Sequence, residues 1–226
     1  MRCTRSLPIR VVAVVAGGYL LGSLPVVYLL GRLAGVDLRR HGSGNVGSHN
    51  LSAAAGTGVG LAGWLSDAAK GAVAVHATRR FCQDEALVGW ALLGALGGQC
   101  WPAFLGWSGG RGVATLVGGM LALTPRTAPW PLATITAIAG LRPLARTSGP
   151  ISTTLRGAAV PVGVLAGALI WPLACVLDKR SRTSAATAAA AALLLILRRI
   201  SANGLPNTGA RPTRLLARAL LDRDHG

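Results

Sequence analysis

The chain has 226 residues, of which 51% are hydrophobic and 13% are charged, and its mean hydropathy is +0.50. This composition excludes an ordinary soluble domain and indicates an integral membrane protein. The net charge is +16, but the basic residues fall in short clusters between apolar runs, and aromatic residues make up only 4% of the chain. We therefore expect membrane lipids with anionic headgroups, and no nucleic acid, to be the partner of this charge.

Seven apolar runs predict the membrane-spanning helices. They cover residues 11–33, 56–78, 86–105, 113–124, 128–141, 158–177 and 184–197. Several runs are shorter than the roughly 20 residues that cross a bilayer, so six spans is the alternative count. The predicted fold class is an all-α integral membrane protein with about seven transmembrane helices, its residues 1–200 forming a single polytopic domain. Residues 201–226 are expected to form a basic tail, with a short amphipathic surface helix as an option.

Two of these runs contain features that a plain membrane helix lacks. In the first run, Gly22, Ser23 and Pro25 are expected to loosen the helix near its middle, which neighbouring helices can tolerate. In the second run, Asp67 and Lys70 are three residues apart, fall on one helical face and can pair. Charges inside a membrane suggest a functional site, with a purely structural ion pair as the alternative.

Three polar stretches follow the first, third and fifth runs, at residues 39–50, 108–115 and 142–157. Under the seven-span prediction they lie on the same side of the membrane, and a larger number of arginines on that side favours a cytoplasmic orientation. Glycine N–H groups, small polar side chains and the guanidinium of Arg111 suit the binding of a phosphate. A plain connecting loop is the alternative for each stretch.

The four cysteines, Cys3, Cys82, Cys100 and Cys175, lie far apart, without a CxxC pair or histidines at ligand spacing. This spacing supports neither a metal site nor a disulfide framework. We therefore expect no metal and no cofactor, and cysteines that serve as small apolar residues in or beside membrane helices.

Three ordered motifs carry a resemblance to a known family. They are GSLPVVYLLGRLAGVDLRRHGSGNVGSHNL, the D-x-x-K-G that begins at Asp67, and GGQCWPAFLGWSGGRGVAT. Over roughly half the chain, residues 18–124, the sequence resembles the bacterial acyl-phosphate-dependent glycerol-3-phosphate acyltransferases, the PlsY family. The resemblance implies a seven-helix inner-membrane enzyme with a cytoplasmic active site. Such enzymes transfer an acyl group from acyl phosphate to the 1-hydroxyl of glycerol 3-phosphate and produce lysophosphatidic acid; acyl-chain preference and oligomeric state are left open.

The resemblance also implies a set of site residues. The catalytic set is Ser43, Arg111 and Ser148, with Ser152 as the alternative to Ser148 because the third motif survives only as RTSGPIS. The substrate-binding set is Gly42, Gly44, Asn45, Asn50, Asp67, Lys70, Gly109, Gly110, Gly112 and Thr115. Because acyl phosphate has a good leaving group, positioning and charge stabilisation can suffice without a nucleophilic triad.

The chain also departs from the family pattern. Gln99 stands where the family has a histidine, Ala53 where it has an arginine, and Arg111 where it has a lysine; a C-terminal histidine-x-x-asparagine is not visible. Glutamine cannot act as a general base. Two other functions therefore stay open: a catalytically impaired member that binds phosphorylated lipid precursors or a membrane partner, and a small transporter. His49 is a candidate replacement base, with a solvated loop histidine as its alternative.

Overall fold

The computed structural model describes residues 6–140, 150–178 and 182–201, with backbone only for 150–158. Within these ranges the regular secondary structure is helical, and no strand occurs. The chain divides into two compact units, Met1–Pro125 and Arg126–Gly226, and each is described by itself. The single domain expected over residues 1–200 stays a prediction, and the tail from residue 202 onward lies outside the described residues.

The first unit is built from six helices in the part of the chain that the structure describes. They are α1 Leu7–Ser23, α2 Val26–Leu33, α3 Ser48–Ala55, α4 Thr57–Phe81, α5 Glu85–Cys100 and α6 Val113–Leu123, with 3-10 turns at Leu38–Arg40 and Ala103–Leu105. The break between α1 and α2 falls at Leu24 and Pro25, where the sequence predicted a loosened helix. Pro25 has no N–H to donate back into α1, and its ring disfavours a helical Leu24.

The polar stretch at residues 39–50 is not the continuous loop that the sequence suggested. Leu38–Arg40 form a 3-10 turn, and the stretch ends inside α3, which begins at Ser48. Leu51 is fully buried, which anchors α3 against the small core that includes Val27, Leu38 and Val46. Burial of this apolar side chain therefore holds the helical end of the loop against that core.

Small residues set the spacing of the helices in the first unit. A Cβ on Gly22 of α1 would overlap the carbonyl oxygen of Ala95 in α5, and one on Gly98 of α5 would overlap that of Tyr19 in α1. The same holds between α4 and α6, where a Cβ on Gly118 would overlap the Ala68 carbonyl oxygen. Membrane helices associate through such small-residue contacts, because lipid tails provide no hydrophobic drive between them.

The second unit contains three helices among the described residues: α7 Pro129–Gly140, α8 Pro150–Leu177 and α9 Arg182–Ser201. Helix α8 packs against both others. It begins eight residues before the predicted sixth span, so part of the third polar stretch is helical. In α9, the Arg199 Nη1 atom donates to the Pro161 carbonyl oxygen at 2.7 Å and joins α9 to α8.

Four helical segments among the described residues are long and apolar enough to cross a membrane: Leu7–Leu33, Glu85–Leu105, Ala159–Leu177 and Arg182–Ser201. Helices α4, α6 and α7 match the other predicted spans in position but fall outside this set, since α4 contains charges and α6 and α7 are short. The count of seven spans therefore stays a prediction.

Candidate active site

A narrow cleft, partly open to solvent, lies in the first unit at the break between α1 and α2. Its polar lining comes from Ser23, Asp67, Lys70, Gln99, Gly109 and Gly110, and its apolar lining includes Leu24, Val27, Val46 and Leu105. The cleft therefore joins the helix break, the middle of α4, the end of α5 and the second glycine-rich loop. Residues far apart in the sequence meet here.

The Lys70 ammonium is fully bonded within the protein. Its Nζ atom donates to Asp67 Oδ1 at 2.9 Å, to Gln99 Oε1 at 2.7 Å and to the Leu24 carbonyl oxygen at 2.6 Å. An ammonium has three N–H donors, so these three bonds use all of them. The side chains of Asp67 and Lys70 are each only 5% exposed. Such burial is tolerated only when both charges are paired and hydrogen-bonded.

Gln99 bridges the two partners of this ion pair. Its Nε2 atom donates to Asp67 Oδ2 at 2.8 Å, while its Oε1 atom accepts from Lys70. Its backbone carbonyl accepts from the Gly110 N–H at 3.1 Å. Gln99 therefore connects the ion pair on α4 with the second glycine-rich loop, and Lys70 extends that connection to the end of α1. A cation at a helix C-terminus is favourable because it meets the unsatisfied carbonyls there.

Asn50 holds the first loop together from inside. Its two Nδ2–H donors are shared among the carbonyl oxygens of Leu38, His41 and Asn45, which lie 3.2, 2.9 and 3.0 Å from the nitrogen, and its Oδ1 accepts from the Ser43 N–H at 3.4 Å. The residue is 4% exposed. Gly42 has a φ of +58°, and a Cβ there would overlap Asn50 Oδ1, so this position needs glycine.

The second glycine-rich loop comes up against the first. A Cβ on Gly110 would lie 3.0 Å from the Val46 carbonyl oxygen, and one on Gly109 would overlap the Gln99 carbonyl oxygen. Gly112 adopts a left-handed conformation with φ +75° at the start of α6, directly after the half-buried Arg111. The two loops thus meet beside the cleft, and Arg111 and the N-terminus of α6 come directly after the second loop in the chain.

The Asp37 carboxylate anchors the start of the first loop. It accepts from Arg39 Nε at 3.1 Å and from Arg39 Nη2 at 2.8 Å, and Arg32 lies 3.7 Å away. The hydrogen bonds from Arg39 lower the pKa of Asp37 to about 2. The Arg39 guanidinium also lies 4.8 Å from the ring centre of Tyr28 and donates to its hydroxyl at 2.9 Å. These contacts fasten the loop to α2.

The structure brings some of the predicted site residues together and separates others. Asp67, Lys70, Gly109 and Gly110 line the cleft, and Thr115 is buried behind it, donating through Oγ1 to the Asp67 carbonyl oxygen at 3.0 Å. Residues Gly42, Ser43 and Gly44 are exposed on the first loop, Asn45 is half-buried, and Asn50 serves the loop backbone. Ser148 and the Ser152 side chain lie outside the described residues. The roles of all these residues in binding and catalysis stay predictions.

Two features of the cleft were not predicted from the sequence: the place of Ser23 in its lining and the bridge that Gln99 forms. The available signals were a serine before Leu-Pro at a helix break and a glutamine in the otherwise apolar run of α5. A polar residue in a membrane helix needs partners, so each position implied a local network.

Comparison with known proteins decides the family. The family model described as glycerol-3-phosphate acyltransferase matches residues 12–208. The chain belongs to this family. A glycerol-3-phosphate acyltransferase of Rubrobacter xylanophilus is 44% identical over 108 residues, 48% of this chain and 54% of that protein. One of Geobacter metallireducens is 41% identical over 114 residues, 50% and 59% of the two chains. The chain thus spans little more than half the length of the curated relatives it matches.

Two solved structures share the fold over almost the full length. A crystal structure of PlsY, an integral membrane glycerol 3-phosphate acyltransferase in its glycerol 3-phosphate form, has a TM-score of 0.72, 25% identity and 96% coverage of both chains. The lysophosphatidic acid form has a TM-score of 0.70 and 25% identity, with coverage of 96% and 95%. The predicted family and the all-α, multi-pass membrane fold class are confirmed. The cytoplasmic face of the loops stays a prediction.

Proposed function

We propose that this protein is an acyltransferase that moves a fatty acyl group from acyl phosphate to the 1-hydroxyl of glycerol 3-phosphate, giving lysophosphatidic acid. It acts in the bacterial inner membrane with its site open to the cytoplasm. The observation that carries the proposal is the meeting of two glycine-rich loops, at Val46 and Gly110, beside the buried Asp67–Lys70–Gln99 cluster. Family membership over residues 12–208 supports the same activity.

The loops supply what phosphate binding needs. Arg111 comes directly before the N-terminus of α6, whose first N–H groups suit an anion, and Gly112 lets the backbone turn sharply into that helix. The first loop adds the exposed Ser43 hydroxyl and a backbone kept in shape by Asn50. Both substrates carry a phosphate, so a pair of adjacent anion-binding loops suits them.

The chemistry is a transfer between oxygens. The glycerol hydroxyl oxygen forms a bond to the acyl carbon, the bond from that carbon to the phosphate oxygen breaks, and inorganic phosphate leaves. The hydroxyl proton passes to a substrate phosphate, since the Gln99 amide cannot act as a base; His49, exposed on α3, is the alternative acceptor. The protein accelerates the step by holding the two substrates in line and by stabilising negative charge.

The test is an acyl-transfer assay on the purified full chain in detergent. Palmitoyl phosphate and labelled glycerol 3-phosphate should yield labelled lysophosphatidic acid, while palmitoyl-CoA and palmitoylated acyl carrier protein should not replace the phosphate donor. An active PlsY relative, run in parallel, serves as the positive control. If the relative forms product and this chain forms none with any donor, the proposed activity is refuted.

A second candidate function is binding without turnover. It is favoured by Gln99 and by Ala53, which is exposed on α3 and presents no cation where the family pattern has one. In that case glycerol 3-phosphate raises the melting temperature of the protein, yet no lysophosphatidic acid forms. The same assay and a melting curve separate the two functions.

A further inference from the structure

The polar side chains around the cleft differ in whether their hydrogen-bonding groups already have partners within the protein. All three N–H groups of the Lys70 ammonium donate to protein acceptors, and both the Nε2 and the Oε1 atom of Gln99 are hydrogen-bonded. The Asp67 carboxylate accepts from both partners. These three side chains hold the walls of the cleft in place. A ligand could accept a hydrogen bond from Lys70 only if one of its three existing hydrogen bonds broke.

Ser23 differs from these three side chains because its hydroxyl has no hydrogen-bond partner among the described residues. It is the last residue of α1, it lines the cleft, and it is 0% exposed. Buried hydroxyls are almost always satisfied, so an unpaired one that lines a cleft needs an explanation.

The position of Ser23 is firmly held. A Cβ on Gly98 would lie only 2.8 Å from the Ser23 backbone nitrogen, so α1 and α5 are in direct backbone contact here. The next residue, Leu24, gives its carbonyl oxygen to Lys70. The backbone of Ser23 is therefore held beside the cleft, between a close helix crossing and an ionic contact.

We propose that the Ser23 hydroxyl is a substrate contact, which donates a hydrogen bond to the carbonyl oxygen of the acyl group in the cleft. This inference rests on the proposed function. The apolar side chains of Leu24, Val27, Val46 and Leu105 beside Ser23 suit the first methylene groups of an acyl chain rather than the hydroxyls of glycerol. A donor at this oxygen stabilises the negative charge that develops there as the acyl carbon is attacked.

The test compares Ser23→Ala with Ser66→Ala. Ser66 lies on α4 next to Asp67, and its Oγ already donates to the Gly63 carbonyl oxygen at 2.8 Å, so its removal controls for loss of a hydroxyl in a helix. We expect Ser23→Ala to lower kcat about 10-fold or more, with the KM for glycerol 3-phosphate unchanged within about twofold, and Ser66→Ala to keep wild-type kcat. An unchanged kcat, or a loss confined to the KM for glycerol 3-phosphate, overturns the assignment.

Melting temperature gives a readout that is independent of turnover. Because the hydroxyl has no protein partner, Ser23→Ala should melt at or above the wild-type temperature without substrate. It should also show a smaller upward shift with palmitoyl phosphate than the wild type. A lower melting temperature without substrate would mean a structural role, and an equal shift would mean no contact; either overturns the inference even if the wild type makes no lysophosphatidic acid. Absence of product from wild type alone refutes the proposed function instead.

Discussion

Two aspartate–cation pairs in the first unit have nearly equal atom separations and very different surroundings. The Lys70 Nζ atom lies 2.9 Å from Asp67 Oδ1, and Arg39 Nη2 lies 2.8 Å from Asp37 Oδ2. The first pair is 5% exposed on both sides, whereas in the second the side chain of Arg39 is 43% exposed and that of Asp37 is 16% exposed. Contact distance therefore says little about what each pair contributes, because water screens one and is excluded from the other.

The two pairs also differ in what they connect. The Asp67–Lys70 pair, through Gln99 and Leu24, ties together α1, α4 and α5 around the cleft. The Asp37–Arg39 pair fastens only the start of one loop to Tyr28 of α2. We expect the buried pair to control folding and the shape of the site, and the exposed pair to have a local effect.

The strongest way to break this comparison is to remove one buried partner. Lys70→Met leaves the Asp67 charge buried without its cation, which should destabilise the protein by about 3–5 kcal/mol. Chemical unfolding in detergent measures this change. Arg80→Met, at an exposed position in the last turn of α4, is the matched control and should change stability by less than about 0.5 kcal/mol. Equal effects of the two substitutions would show that burial does not distinguish these cations.

A second test asks whether a loop cation acts on substrate rather than on folding. Arg111→Ala and Ser43→Ala should each lower kcat/KM, Arg111→Ala by about 100-fold or more, because a charged contact to phosphate is lost. The acyl-transfer assay measures this, and Arg80→Ala should keep wild-type kinetics. Wild-type rates in both loop variants would mean that the loops are connectors.

A third test sharpens the role of the bridge. Gln99→Leu keeps the Asp67–Lys70 pair but leaves one donor of Lys70 and one oxygen of Asp67 without their partner. The expected loss is about 1–3 kcal/mol of unfolding free energy, smaller than for Lys70→Met. Gln83→Leu, at an exposed position just before α5, controls for loss of an amide. If both glutamine variants are equally stable, the bridge contributes nothing to the fold.

The smallest effect is expected at the exposed pair. Asp37→Asn should lower the melting temperature only slightly at pH 7, since water competes for the exposed Arg39 guanidinium. The hydrogen bonds from Arg39 lower the pKa of Asp37 from 3.8 to about 2, so its contribution is present above pH 3.8 and is lost as the pH falls toward 2. Melting curves of wild type and variant should therefore converge over that window. A difference that grew with acidity would contradict this assignment.

Local patterns in the sequence were sufficient for the helices but not for their ends. The predicted fourth span, residues 113–124, corresponds to α6 Val113–Leu123, and the predicted fifth, 128–141, to α7 Pro129–Gly140. Helix α3 was missed because its eight residues contain several polar ones, and burial of Leu51 stabilises it more than its own propensity does. The early start of α8 was hidden by the polar composition of residues 150–157.

The sequence by itself determined the membrane class, a loosened first helix near Pro25, the possible pairing of Asp67 with Lys70 and the family, whereas the full break of that helix into α1 and α2 is seen only in the structure. These depend on run length, on the missing N–H of proline, on helical spacing and on ordered motifs, all of which are visible locally. Only the tertiary structure decided that Gln99 bridges the pair, that Asn50 serves the first loop, and that Ser23 is left unpaired in the cleft. The acceptors of the Lys70 hydrogen bonds lie up to 46 residues away in the sequence, so local patterns do not reveal them. Whether a polar group lacks a hydrogen-bond partner depends on all of its neighbours in the folded protein.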